Sequence, residues 1–178
     1  IISGVAFTGS SAVAKKIKYN LIKNGNPGAR VIAETGGLNA MVVDSTALCE
    51  QVTRDVIDGA FKSAGQRCSA LRVLMIQAEC FDETLKMIQG AMMELRIGNP
   101  KHLSTDCGPV INREAQVKLQ SYIEKSRKRN QIIKDIQCDL KTGYYVTPTI
   151  INLKSIDEIN EEFFGPILHV ISYKSDEL

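Results

Sequence analysis

The stretch SAGQRCSA, residues 63–70, contains the side chain with the clearest chemical potential in this chain, the thiol of Cys68. Arg67 precedes it and Ser69 follows it, so its nearest neighbours are polar. A thiol with an ordinary pKa of about 8.5 is only a few per cent thiolate at neutral pH, and a nucleophilic cysteine therefore needs nearby positive potential or a base. Arg67 and the end of a neighbouring helix are candidates for that potential. The alternative is a buried, small apolar side chain, which is our interpretation of the other four cysteines, Cys49, Cys80, Cys107 and Cys138.

A carboxylate at the end of an apolar run, Glu34 in VIAETGG, is a candidate general base. The two glycines after it leave the backbone without side chains, so a ligand can approach closely. A carboxylate in such a place can accept a proton from a thiol or from water. The alternative is an ordinary carboxylate at a strand end.

The segment FTGS places Gly9 and Ser10 where a predicted strand meets a predicted helix. Unpaired N–H groups at a helix start suit an anion such as a pyrophosphate. The segment is not the glycine-rich dinucleotide fingerprint, and the alternative is an ordinary serine N-cap.

The segment EEFFGP, residues 161–166, combines a carboxylate, Glu162, with an aromatic ring, Phe164, and a glycine-proline turn. The carboxylate is a candidate to bind a sugar hydroxyl, and the ring is a candidate to pack against a flat ligand. The alternatives are a solvated glutamate and a core phenylalanine.

The elements that must position these residues alternate between strands and helices. Strands are predicted in the opening residues, in ARVIAE, AMVVD and LRVLMIQ, near 131–136, in YYVTPTIINL and in ILHVISY. Helices are predicted after Ser10, from Ser45 to Lys62, from an N-cap at Asp82, over about 113–128 and, briefly, over 155–161. This alternation is typical of an α/β fold, a layered and mostly parallel sheet flanked by helices. Ligands of such folds bind at the carboxyl ends of strands, where the candidate residues lie.

Composition narrows the class of protein. The chain has 178 residues, of which 44% are hydrophobic and 24% charged, so it can form one domain or a domain plus part of another. A net charge of +2 gives no reason to expect nucleic acid, and the basic run at 125–130 reads as a solvated helix end. No apolar run predicts a membrane span. Five cysteines without a C-x-x-C pair, together with two histidines, argue against a metal site and favour a reducing compartment, the cytoplasm.

Taken in order, FTGS, ETGG, GQRCSA and EEFFGP resemble the motif set of the NAD(P)-dependent aldehyde dehydrogenase superfamily. Longer stretches, among them IAETGGLNAMVVDS, SAGQRCSALRVL and FFGPILHVISYKSDEL, resemble the dehydrogenase half of the bifunctional proline utilization A enzymes. The resemblance covers the whole chain. It implies an aldehyde dehydrogenase-like catalytic domain fragment and oxidation of L-glutamate γ-semialdehyde, the open form of pyrroline-5-carboxylate, to L-glutamate with NAD.

By this resemblance, Cys68 is the nucleophile that forms a thiohemiacetal and then a thioester. Glu34 is the general base, and the backbone N–H of Cys68 is one donor to the oxyanion. Arg67 and Ser69 fall in the loop where semialdehyde enzymes contact the substrate.

The resemblance also implies the cofactor contacts. Gly9 and Ser10 would lie near the NAD pyrophosphate, Glu162 would bind the nicotinamide ribose and Phe164 would pack against the nicotinamide. FAD is implied only for a proline dehydrogenase half upstream of this chain.

Two departures from the family pattern shape the expectations. ETGGL stands where most relatives have ELGGK, and Thr35 and Leu38 favour the proline utilization branch.

The chain is also expected to be an excised piece, with residues 1–34 ending an NAD-binding domain and 35–178 forming an incomplete catalytic domain. The family's oxyanion asparagine would precede Ile1, and Asn39 does not match it. We therefore expect the isolated chain to be close to inactive, and the full-length enzyme to form homo-oligomers.

Other readings remain open. The chain could belong to another NAD(P)-dependent aldehyde dehydrogenase, or it could be a non-catalytic fragment with inherited motifs. A thiol hydrolase would need a histidine beside Cys68, and only His102 and His169 are available. The ending SDEL faintly resembles a retrieval signal, but an arbitrary chain end is the preferred interpretation.

Overall fold

The structure is a computed structural model that describes residues 2–24, 26–137, 140 and 142–175. It divides into two compact units, Ile1–Gly37 and Leu38–Leu178. The boundary between the units follows Gly37. It lies slightly later in the chain than the domain boundary predicted from the sequence, which follows residue 34. Cys138 and most of the SDEL ending lie outside the described residues.

The first unit is a strand, a helix and a second strand. Strand β1 (Gly4–Thr8) and strand β2 (Arg30–Glu34) pair in parallel, and helix α1 (Ser11–Lys23) connects them. The predicted N-cap of α1 is confirmed, since the Ser10 side chain accepts a hydrogen bond from the Val13 N–H at 3.3 Å. The carboxyl ends of both strands therefore lie beside the start of α1.

The second unit has five strands in the order β3-β4-β7-β6-β5. They are β3 (Ala40–Val43), β4 (Val73–Gln77), β5 (Ile132–Asp135), β6 (Thr149–Leu153) and β7 (Ile167–Tyr173). Every pairing is parallel except that of β5 with β6. The predicted mostly parallel sheet is confirmed.

Helices cover both faces of this sheet. Helix α2 (Cys49–Phe61) and helix α3 (Phe81–Met93) share a core cluster with Leu74 and Leu168, and helix α4 (Arg113–Lys128) shares the other cluster with Val73 and Ile167. Neighbouring residues of one strand thus face opposite layers, as the pleat requires. Strands buried on both faces read as continuous apolar runs, which explains why β4 and β7 were visible in the sequence.

Several predicted boundaries are wrong. Residue Asp82 lies inside the first turn of α3 and does not cap it with its side chain. The run YYVTPTIINL forms a strand only from Thr149 onward, and the predicted helix at 155–161 is a 3-10 turn over Ile156–Glu158. The single proline of the first run, Pro148, directly precedes the strand and has no N–H to donate to a sheet, which accounts for the late start of β6. The 3-10 turn begins with a capping box formed by Ser155 and Glu158.

Candidate functional site

The turn that carries Cys68 begins with an unusual backbone. After α2 ends, Ser63, Ala64 and Gly65 have φ values of 56°, 51° and 63°, three consecutive residues in the left-handed region. Left-handed conformations are unfavourable for residues with a Cβ, so the surrounding structure must hold Ser63 and Ala64 in place. A Cβ at Gly65 would also overlap the carbonyl oxygen of Gly165. Glycine is therefore required there on two grounds.

The turn itself is exposed. The side chains of Arg67, Cys68 and Ser69 are all accessible, and the Ala70 N–H closes the turn on the Arg67 carbonyl at 3.1 Å. The interpretation of Cys68 as a buried apolar side chain is wrong. The Arg67 guanidinium donates to the Asp58 carbonyl of α2 at 3.1 Å, which places this cation on the last turn of that helix.

Asn39 fixes the other side of the turn. Its side-chain nitrogen donates to the Cys68 carbonyl at 2.6 Å and to the Ala70 carbonyl at 2.9 Å. An amide nitrogen has two hydrogens, and both are used on backbone oxygens in this arrangement. Asn39 therefore braces the Cys68 turn, and both of its amide hydrogens are used on the backbone oxygens of that turn.

Gln66 ties the same turn to the loop before α4. Its side-chain nitrogen donates to the Pro109 carbonyl at 3.2 Å, and its side-chain oxygen accepts from the Ile111 N–H at 2.8 Å. The turn is thus held from two sides by side-chain amides.

Arg72, which the motif reading did not single out, joins the Cys68 turn to the EEFFGP segment. Its side chain is fully buried, and its guanidinium donates to the carbonyls of Gly65, Gly165 and Arg67 at 2.6, 3.3 and 3.3 Å. It also pairs with the Glu162 carboxylate at 3.3 Å. Burial lowers the pKa of Arg72, and the Glu162 charge opposes that shift. An arginine within the predicted buried strand LRVLMIQ is the sequence signal that could have revealed it, since a buried charge needs partners.

Glu162 and Phe164 lie around this guanidinium. The Glu162 side chain is 21% exposed, and the Phe164 ring centroid lies 5.0 Å from the Arg72 guanidinium carbon. The interpretation of Phe164 as a core residue is wrong, because its side chain is 43% exposed. The neighbouring Phe163 is the core ring, and it stacks on Tyr122 with centroids 3.6 Å apart.

The first unit brings together the other three candidates. Thr8 pairs with Glu34 across the two strands, and the Gly9 N–H donates to the Glu34 carbonyl at 3.1 Å. Ser10 follows directly as the N-cap of α1, and all three residues are exposed. The carboxylate and the helix start are therefore neighbours within one β-α-β unit. The pairing of Glu34 with Cys68 in catalysis stays a prediction.

The two histidines are differently placed. His169 is buried in β7, its Nδ1 lies 3.0 Å from the Arg72 carbonyl and its Nε2 lies 2.9 Å from the Tyr122 hydroxyl. Burial lowers the pKa of His169 to about 4, so its ring is neutral at pH 7. Both ring nitrogens are engaged, which removes His169 as a base for a thiol hydrolase. His102 is exposed in the loop before α4.

Within the described ranges, no cluster of three or more histidine, cysteine or acidic side chains could hold a metal ion. Cys49 and Cys80 are half-buried, and Cys107 is buried, so the apolar interpretation of Cys107 agrees with its position.

A model of the aldehyde dehydrogenase family matches residues 1–178. The chain belongs to the aldehyde dehydrogenase family. Its similarity to the bifunctional protein PutA of Klebsiella aerogenes is 48% identity over 99% of this chain and 14% of that protein. Its similarity to the 1-pyrroline-5-carboxylate dehydrogenase of Staphylococcus saprophyticus is 36% identity over 97% of this chain and 34% of that protein. The chain thus spans about one seventh to one third of the curated relatives it matches.

Solved structures agree with this aldehyde dehydrogenase assignment. A proline utilization A variant of Bradyrhizobium japonicum superposes with a TM-score of 0.92 at 43% identity, covering 98% of this chain and 18% of that one. A betaine aldehyde dehydrogenase variant of Staphylococcus aureus, solved in complex with NAD+, superposes with a TM-score of 0.89 at 26% identity, covering 98% of this chain and 36% of that one. The predicted fold class and family are confirmed.

Proposed function

We propose that this aldehyde dehydrogenase chain carries the nucleophile and base of an enzyme that oxidises L-glutamate γ-semialdehyde to L-glutamate with NAD, in proline catabolism. The observation that carries the proposal is the similarity over nearly the whole chain to PutA proteins and 1-pyrroline-5-carboxylate dehydrogenases. The exposed cysteine in a braced turn supports it, because a nucleophile must be reachable and held in one orientation.

Cys68 is the proposed nucleophile. Its sulfur attacks the aldehyde carbon and forms a thiohemiacetal, which is oxidised to a thioester, and water then releases the carboxylic acid. The backbone N–H of Cys68 is the proposed donor to the oxygen that becomes negatively charged. Removing one such donor costs about 10²- to 10³-fold in rate. Fixing the turn through Asn39 and Gln66 supports this role, since a donor acts best when its direction is set in advance.

Glu34 is the proposed general base, which accepts the proton of the thiol or of the hydrolytic water. Its exposed carboxylate at the carboxyl end of β2 supports this assignment. Arg67 and Ser69 are proposed to contact the substrate, because their exposed side chains flank the cysteine.

The residues present fit NAD. Gly9 and Ser10 stand at the start of a 13-residue helix, whose first N–H groups suit a pyrophosphate. Glu162 keeps one carboxylate oxygen outside its 3.3 Å contact with Arg72 and would accept from ribose hydroxyls. Phe164 offers a partly exposed ring against a flat heterocycle. When bound, NAD would be the oxidant, because it accepts the hydride that the thiohemiacetal loses.

The chain would act as part of a larger enzyme. We assign residues 1–34 to the end of an NAD-binding domain and 35–178 to an incomplete catalytic domain, and we propose that the isolated chain is close to inactive. The parent would be a cytoplasmic homo-oligomer, with FAD confined to an upstream proline dehydrogenase half. No described helix is long and apolar enough to cross a membrane.

The test uses the full-length protein with pyrroline-5-carboxylate, and betaine aldehyde as the comparison substrate. Cys68→Ala is expected to abolish NADH production. Cys80→Ala is the matched control, because this half-buried thiol donates to the Gln77 carbonyl at 3.5 Å and should leave activity unchanged. Turnover retained in Cys68→Ala would refute the assignment. Preference for betaine aldehyde would refute the substrate but keep the family chemistry.

A further inference from the structure

Arg72 occupies a position where burying its charged side chain is energetically unfavourable. It directly precedes β4, its side chain is fully buried, and its Nε atom is buried without a hydrogen-bond partner. Burying an arginine with one unsatisfied donor opposes folding, and well-packed apolar residues are often as stable in such places. The advantage of this arginine should therefore be sought in what its guanidinium holds in place.

The guanidinium contacts two segments that are far apart in sequence. Nη1 donates to the carbonyls of Gly65 and Gly165, and Nη2 donates to the Arg67 carbonyl and to Glu162. One rigid, planar fork thus binds two backbone carbonyls of the Cys68 turn, at the last left-handed residue and just before the cysteine. The same fork binds the backbone and the carboxylate of the EEFFGP segment. A lysine has a single ammonium group and cannot span the same four acceptors in fixed directions.

The two segments also touch directly at glycines. A Cβ at Gly65 would overlap the Gly165 carbonyl, and a Cβ at Gly165 would overlap the Leu119 side chain. The close approach leaves both carbonyls directed at one donor group, which is the Nη1 of Arg72. The geometry of the Cys68 turn is therefore tied to that of the segment bearing Glu162 and Phe164.

The backbone of Arg72 is itself fixed to the sheet. Its carbonyl accepts from the backbone N–H of His169 at 2.9 Å and lies 3.0 Å from Nδ1 of the His169 ring. The Arg72 carbonyl must be the acceptor, so Nδ1 carries the hydrogen and Nε2 accepts from the Tyr122 hydroxyl at 2.9 Å. The backbone of Arg72 is thus held directly by β7 and, through the His169 ring, by Tyr122 of α4.

We infer that Arg72 is a positioning residue that keeps the Cys68 turn in register with the Glu162–Phe164 segment, so that the nucleophile and the nicotinamide-ribose contact keep a fixed separation. This inference rests on the proposed function for its catalytic consequence. Its structural part, the control of Cys68 by Arg72, stands on the contacts alone.

The experiment measures, in the full-length protein, the alkylation rate of Cys68 by iodoacetamide relative to Cys80, together with kcat and KM for pyrroline-5-carboxylate. Arg72→Met removes the fork at similar length, Arg72→Lys keeps the charge, and Arg127→Met is the matched control because Arg127 pairs with Asp135 and Glu124 on the surface. Thermal unfolding and circular dichroism identify variants that fold.

We expect Arg72→Met to change the Cys68-to-Cys80 alkylation ratio at least several-fold and to lower kcat by about 10²-fold, with a smaller change in KM, because misplacing a reacting group by about 1 Å costs that much. Arg72→Lys should recover only a small part of kcat, and Arg127→Met should match the wild type. Should Arg72→Met fail to fold, Arg72→Lys carries the same comparison, because it removes the fork but keeps the charge.

A folded Arg72→Met variant with the wild-type alkylation ratio and kcat would overturn the inference. A lower melting temperature with both quantities unchanged would also overturn it, since that is the behaviour of a merely structural arginine. A wild-type protein that makes no NADH from pyrroline-5-carboxylate would instead refute the proposed function, and the alkylation ratio would still decide the role of Arg72.

Discussion

The two units of this aldehyde dehydrogenase chain differ in how they are stabilised. In the second unit the sheet is covered on both faces, and residues such as Val56, Leu74 and Ile88 are inaccessible. In the first unit, none of residues 2–24 and 26–37 is buried, and Ile32 is 64% exposed. Because apolar burial is the main favourable contribution to folding, the second unit provides most of the stability of the 178-residue chain. The Cys68 turn and its braces belong to this stable part, whereas Gly9, Ser10 and Glu34 depend on a β-α-β unit with an open apolar surface.

The largest expected effect concerns the glycine contact in the stable unit. Gly65→Ala should reduce the free energy of unfolding by about 5 kcal/mol, because a methyl group would overlap the Gly165 carbonyl at a backbone φ of 63°. Urea unfolding followed by circular dichroism measures it. Gly90→Ala is the control, since its added methyl meets nothing within 4 Å in α3 and should stabilise the helix by up to about 1 kcal/mol. Equal effects at the two glycines would contradict the close approach.

The contrast between the units is tested by two truncations of the same residue type. Ile88→Ala, at a fully buried position of α3, should cost about 4 kcal/mol of unfolding free energy through lost burial and a cavity. In the 178-residue chain by itself, Ile32→Ala, at a 64% exposed position of β2, should cost less than about 0.5 kcal/mol. A cost at Ile32 comparable to that at Ile88 would show that the first unit has a core of its own.

The pH dependence of stability sharpens the comparison further. His169 has a pKa of about 4 when folded and about 6.5 in its ordinary state, so between these values the unfolded chain binds a proton that the folded chain does not. The free energy of unfolding should therefore fall as the pH drops from about 6.5 to about 4, by at most about 3 kcal/mol from this residue. The test compares urea unfolding of the wild type and His169→Gln across that range.

The variant should lose most of this slope, whatever its stability at neutral pH. His102→Gln is the control, because His102 is exposed and its replacement should leave the slope as it is. An unchanged slope in His169→Gln would show that the buried ring does not titrate as its surroundings require.

The helices and central strands could be predicted because their signals are local. In α3, apolar residues at spacings of three and four match the buried positions Leu85, Ile88 and Met92. The runs that became β4 and β7 are mostly apolar because both of their faces are covered. Two predictions were wrong: that the strand begins before Thr149, and that residues 155–161 form a helix. Both rested on propensity over a few residues, which does not say which neighbours will pair.

The contacts of Arg72 could not be predicted from the sequence. The sequence analysis included Arg72 in the predicted buried strand LRVLMIQ. The oxygens that accept hydrogen bonds from its guanidinium lie up to 93 positions away along the chain, on Gly65, Arg67, Glu162 and Gly165. Most of them are backbone carbonyls, which have no residue type and so leave no mark in the sequence. The same holds for Asn39, whose side chain binds the carbonyls of Cys68 and Ala70.

The sequence by itself determined the family, the α/β class and the identity of the candidate residues, because side-chain chemistry and its order along the chain are written in the residues. The tertiary structure decided which of them are exposed, that Phe163 rather than Phe164 joins the core, and that Arg72 holds two distant segments together. Those outcomes depend on which backbone groups meet across the sheet, and that is set only when the whole unit has packed.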